Sequence, residues 1–121
     1  MSKMGKMNLA IAGCGAIARD HLNALRGIDA LNLVALCDID EQSVRRMSRE
    51  CNVSQCYTDF SEMLKKEHLS IVSILTPPQT HASMAIEAIS HGINVLLEKP
   101  LTMTTSEAKL IWKLSEVVRS N

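Results

Sequence analysis

Apolar positions along the chain follow two alternating patterns. Short continuous runs, rich in aliphatic and β-branched residues, occupy residues 9–12, 33–37, 71–75 and 93–97, with a weaker run at Gln55–Tyr57. Unbroken hydrophobicity over so few residues is what a strand covered on both faces requires, so these runs predict a parallel sheet between helices. The intervening stretches have helical spacing. Ala16–Arg26 carries Ile17, Leu22 and Leu25, and Asp40 caps a helix with Val44, Met47 and Cys51 at i, i+3 and i+7. Asp59 and Glu62 form a D-x-x-E capping box that opens a short helix through Leu64. Thr80 caps a helix presenting Ala82, Ala85, Ile86 and Ile89, with Gly92 at its C-terminal stop. Thr104 and Glu107 open a last helix whose stripe is Leu110, Ile111, Leu114, Val117 and Val118, with Trp112 off it. Strict strand–helix alternation with right-handed crossovers predicts a doubly wound α/β fold of five parallel strands. Ligands of such sheets bind at the carboxyl ends of the strands, near the reversal in strand order.

Composition narrows the partners. The 121 residues suffice for one domain, read as an extension over 1–6 and a doubly wound α/β domain over 7–121. Hydrophobic residues at 46% exclude intrinsic disorder. Thirteen Lys and Arg balance thirteen Asp and Glu, so no basic field draws nucleic acid or an anionic membrane. Tyr57, Phe60 and Trp112 are the only aromatics, too few for a base-stacking surface. No apolar run has the length of a membrane span, and residues 9–12 are too short for a signal-peptide core. Cys14, Cys37, Cys51 and Cys56 lack C-x-x-C spacing and read as reduced thiols of a cytoplasmic protein. His21 reads as a packing or surface residue, and no histidine has metal-ligand spacing to another.

The chemistry collects at strand ends. The first strand runs into Gly13-Cys14-Gly15-Ala16-Ile17-Ala18, a G-x-G-x-x-A pattern. Gly13 permits a tight turn, Gly15 lets backbone approach a pyrophosphate, Cys14 offers its backbone N–H, and the helix opening at Ala16 and Ile17 directs a positive dipole end at phosphate. Small residues also make such turns for purely structural reasons. Asp38 ends the second strand 20 residues beyond Ala18, where a carboxylate can accept both hydroxyls of an adenosine ribose and repel a 2′-phosphate. NAD is favoured over NADP, with Arg45 and Arg46 close in sequence on the other side of the argument. A turn-forming role for Asp38 is the competing reading. Two further strands end in Thr76-Pro77-Pro78-Gln79-Thr80-His81 and Glu98-Lys99-Pro100-Leu101. The Lys99 ammonium could reach a reacting oxygen there.

Together these segments resemble the glucose–fructose oxidoreductase, inositol dehydrogenase and MocA family of dehydrogenases, over nearly the whole chain from Met7 to Val118. The resemblance implies that the glycine loop holds the pyrophosphate of NAD and Asp38 its adenosine ribose. It implies that Thr76, Pro77 and Pro78 lie along the cofactor with His81 beneath, and that Glu98 and Lys99 flank the nicotinamide ribose. Lys99 would be the catalytic lysine and Lys99–Pro100 a cis bond. The substrate would be a sugar, nucleotide sugar or cyclitol alcohol. A sixth strand and a C-terminal substrate domain, which the family carries, are missing from this sequence. The chain alone is therefore expected to bind the dinucleotide with little or no turnover, and its fifth strand to form an edge open to a second copy. A free-standing, non-catalytic dinucleotide-binding or sensor domain is the alternative, and a methyltransferase of the same fold a more distant one.

Overall fold

The computed structural model describes residues 6–26 and 28–97. Five parallel strands, β1 (Met7–Ala12), β2 (Leu31–Cys37), β3 (Gln55–Tyr57), β4 (Ile71–Ile74) and β5 (Asn94–Leu97), lie in the order β3-β2-β1-β4-β5. Four helices connect them: α1 (Ala16–Arg26), α2 (Glu41–Cys51), α3 (Phe60–Lys66) and α4 (His81–Ser90), the last preceded by a 3-10 turn at Pro78–Thr80. The order reverses between β1 and β4. This is the doubly wound arrangement that the alternation predicts. The expected last helix, with Trp112, lies outside the described residues.

The continuous apolar runs divide between two cores with period two. Ala10, Ala12, Ala35, Cys37, Val72 and Ile74 face one layer with Met63, Leu64, Ala85 and Ala88 of α3 and α4. Ile11 and Leu36 face the other with Ala18, Leu22, Val44 and Met47 of α1 and α2. Alanines on both sides of the first layer let α4 lie close to the sheet, while Met63, Val72 and Ile74 supply the buried volume. Buried Ser73 accepts or donates a hydrogen bond with His21 Nε2 at 2.8 Å, so His21 has a packing role.

Most boundaries fall where the capping residues put them. Asp40 accepts from Gln42 N at 3.2 Å, and Asp59 accepts from Glu62 N at 3.3 Å. α3 continues two residues past Leu64, with Lys66 paired to Glu62 at 3.3 Å. Gly92, at φ 79°, and Ile93 donate back to Ile89 and Ala88, closing α4 in the expected way. Ile93 therefore belongs to this closure, and β5 begins one residue later than its apolar run. β1 and β2 begin two residues earlier than theirs, because parallel pairing extends to Met7↔Leu31 and Asn8↔Asn32. Thr80 corrects a prediction: its backbone is already helical and its side chain caps nothing. Its hydroxyl instead donates to Pro77 O at 2.7 Å. Pro77 and Pro78 carry no N–H, so the start of this segment has fewer donors for a cap to satisfy.

Candidate functional site

The two glycines after β1 differ in what their missing side chains permit. Gly13 has φ +103°, and a Cβ there would lie 2.7 Å from Leu75 C and 2.8 Å from Thr76 N. The loop is thus pressed against the end of β4, with Gly13 N donating to Cys37 O at 2.8 Å and Leu75 N to Ala12 O at 2.7 Å. Gly15 is exposed, and a Cβ there would meet nothing within 4 Å. The protein itself fills the space left by Gly13. The space beside Gly15 stays open, at the start of α1.

Asp38 closes β2 beside this loop. Its Oδ2 accepts from Cys14 N at 2.7 Å and its Oδ1 from Asp40 N at 2.8 Å. The turn-forming reading of Asp38 is therefore correct as far as it goes. Each oxygen accepts one bond and keeps capacity for another donor. The Cys14 N–H, expected to face a phosphate, donates to Asp38 instead and ties the glycine loop to the acid. Arg45 and Arg46 point elsewhere: Arg45 pairs with Glu41 at 3.4 Å and Arg46 donates to Ser43 Oγ at 3.5 Å.

The Thr76–Pro77–Pro78 loop is held from below. Thr80 donates its one hydroxyl proton to Pro77 O, and the single hydroxyl proton of Thr76 is shared between Thr80 Oγ1 at 2.6 Å and Met84 Sδ at 3.2 Å. His81 is 3% exposed, with Nε2 2.7 Å from Thr76 O. The carbonyl can only accept, so Nε2 carries the proton. His81 lies behind the loop and fixes Thr76 rather than facing the cleft.

These elements enclose a cavity of about 600 Å³ across the carboxyl ends of β1, β2 and β4, walled by Gly13, Gly15, Asp38, Leu75, Thr76 and Pro77. It includes residues that no motif singled out: Ile39, Thr58, Phe60, Gln79, Ser83, Met84 and Glu87. One signal was available. Ile39 follows Asp38 in a turn where a polar residue is expected, and it is 92% exposed. A second cavity, of about 630 Å³, lies at the β3 edge. Of its charges, Arg45 and Lys66 are paired with Glu41 and Glu62. Glu98, Lys99 and the Lys99–Pro100 bond lie outside the described residues.

Burial raises the thiols of Cys14 and Cys37 to about 12, with the Asp38 carboxylate adding to the effect. The Cys14 thiol donates to Cys37 O at 3.6 Å. At pH 8 a thiol with that pKa is ionised to about one part in ten thousand. A maleimide titration is expected to label the half-buried Cys51 and Cys56 first, with Cys14 and Cys37 reacting only on unfolding. Early labelling of Cys14 would contradict this.

Residues 7–118 match the GFO_IDH_MocA family, described as an oxidoreductase family with an NAD-binding Rossmann fold. D-apiose dehydrogenase of Paraburkholderia graminis is 35% identical over 100 residues, which cover 83% of this chain and 27% of that protein. The WlbA dehydrogenase of Chromobacterium violaceum, solved with NADH and UDP-GlcNAcA, superposes with a TM-score of 0.87 at 27% identity, covering 95% of this chain and 33% of that one. The myo-inositol 2-dehydrogenase of Lactobacillus plantarum gives a TM-score of 0.84 at 29% identity, with 93% and 33% covered. The chain thus spans about a third of the length of these relatives. The cleft at the strand reversal, the glycine loop and this match lead to one assignment: the chain belongs to the Gfo/Idh/MocA oxidoreductases, as their NAD-binding Rossmann domain.

Proposed function

We propose that this domain binds NAD for an enzyme that transfers hydride to or from an alcohol carbon of a sugar, nucleotide sugar or cyclitol. The observation that carries the reading is the contrast at the glycine loop. Gly13 is bare because the protein occupies its side-chain space, whereas Gly15 is bare beside a cavity. Backbone exposed at a helix start suits a pyrophosphate. Asp38, with acceptor capacity left on both oxygens, suits the adenosine ribose hydroxyls. Among the described residues, the charged side chains lining the cleft, Asp38 and Glu87, are both acidic, which favours NAD over the 2′-phosphate of NADP.

When bound, the nicotinamide ring supplies the hydride acceptor or donor. The chain's own residues do the rest. Gly13, Cys14, Gly15, Ala16 and Ile17 shape the phosphate loop. Thr76, Pro77 and Pro78 line the cofactor's path, and His81 holds their carbonyl side rigid. Glu98 and Lys99 follow β5, and Lys99 is assigned to polarise the substrate oxygen. Among the described residues β5 is the last strand of the sheet, and its edge, with Leu96 38% exposed, suits pairing with a further strand or a second copy. The thiols of Cys14 and Cys37, buried in the core, fit a reducing cytoplasm.

NADH titration by calorimetry tests the reading. The chain is expected to bind NADH saturably. Gly15→Asp, which places a carboxylate in the open space, is expected to abolish binding while leaving the urea midpoint unchanged. Undiminished NADH binding by Gly15→Asp would overturn the assignment.

A further inference from the structure

The cavity extends beyond what the glycine loop and Asp38 use. α3 packs against α4, and the cavity reaches between them, with Phe60 on one wall and Ser83, Met84 and Glu87 on the other. Ser83 and Glu87, four residues apart, lie on the same face of α4. The Ser83 hydroxyl donates back to Thr80 O at 3.2 Å, which leaves its oxygen as an acceptor only. Glu87 is half-buried, and among the described residues its carboxylate has no hydrogen-bond or ion-pair partner. No described Lys or Arg lines this cavity. A carboxylate in a largely apolar slot without a cation is a strong acceptor for a neutral N–H donor.

The chemistry of that donor follows from the walls. Ile39, Phe60 and Met84 present flat or deformable apolar surfaces, which suit the faces of a heteroaromatic ring. This step rests on the reading of the cleft as the dinucleotide site. The base is joined directly to the ribose assigned to Asp38, so it enters the adjoining stretch of wall. We infer that Glu87 accepts a hydrogen bond from the exocyclic amine of the adenine, so that the site selects a 6-amino purine dinucleotide over its 6-oxo counterpart. The 6-oxo ring presents an acceptor at the position of that amine, and two acceptors then face each other. Glu87 is a specificity residue in this account and takes no part in hydride transfer.

The test is calorimetric titration with NADH and with reduced nicotinamide hypoxanthine dinucleotide, for wild type, Glu87→Gln and Glu87→Ala, each checked for an unchanged urea midpoint. The wild type is expected to bind NADH about tenfold more tightly than the hypoxanthine dinucleotide, the effect of one hydrogen bond to a charged group. Glu87→Gln, whose amide can turn a donor toward a 6-oxo group, is expected to bring the two within about twofold, and Glu87→Ala to remove the preference. Equal binding by the wild type, or a preference retained in Glu87→Ala, would overturn the role of Glu87 while leaving NADH binding by the cleft intact. Failure of the wild type to bind NADH at all would overturn both.

Discussion

Gly13→Ala is expected to cost the domain about 4 kcal/mol, whereas Gly15→Ala leaves its stability within about 0.5 kcal/mol of wild type. Both replace a loop glycine by the same methyl group, so the difference isolates the environment. At position 13 the methyl adopts a positive φ of 103° and falls 2.7 Å from a backbone carbon of Leu75. Backbone cannot swing aside as a side chain can. Either β1 or β4 must then shift, and the bond from Leu75 N to Ala12 O lies directly in the strained region. The left-handed backbone contributes about 1–3 kcal/mol and the overpacking a similar amount. Against a total stability of about 5–15 kcal/mol for a small domain, that loss is large. At position 15 the methyl meets nothing within 4 Å and requires no such backbone. Urea denaturation of the two variants measures the difference. Equal midpoints would show that the juncture between the glycine loop and β4 is not tight.

The fold was readable because its elements are specified locally. Continuous apolar runs, Asp40 and Asp59 at helix starts, and Gly92 at a helix stop each act over a few residues, and their alternation leaves one topology. Strand ends were less readable. Asn8 and Asn32 extend β1 and β2 through parallel pairing, which an apolar pattern does not record. Thr80 has the composition of a cap, but two preceding prolines change which backbone groups need partners. The glycine loop and Asp38 were readable as a motif because they adjoin along the sheet edge. The wall formed by Phe60, Met84 and Glu87 was not, since it arises from α3 and α4 meeting in space and has no spacing of its own. The hydrogen bond between Cys14 and Asp38 is likewise a tertiary fact: 24 residues separate its ends, and only the β1–β2 pairing brings them together.

Asp38→Ala is expected to weaken NADH binding by about tenfold to a hundredfold, the effect of losing hydrogen bonds from ribose hydroxyls to a carboxylate. The same change removes the acceptors for Cys14 N and Asp40 N, so part of the loss passes through the loop. Asp38→Asn separates the two. Its amide oxygen can still accept from Cys14 N, but the negative charge that opposes a 2′-phosphate is gone. Its amide NH2 then faces the Asp40 N–H that Asp38 Oδ1 accepts, so its stability is expected to fall by about 1–2 kcal/mol, while its discrimination against NADPH falls as well.

The decisive comparison is therefore the affinity of NADH against NADPH, measured by calorimetry in the wild-type chain and in Asp38→Asn. The account predicts at least about tenfold tighter binding of NADH by the wild type, narrowing in Asp38→Asn chiefly through stronger NADPH binding. Equal or tighter NADPH binding by the wild type would contradict it.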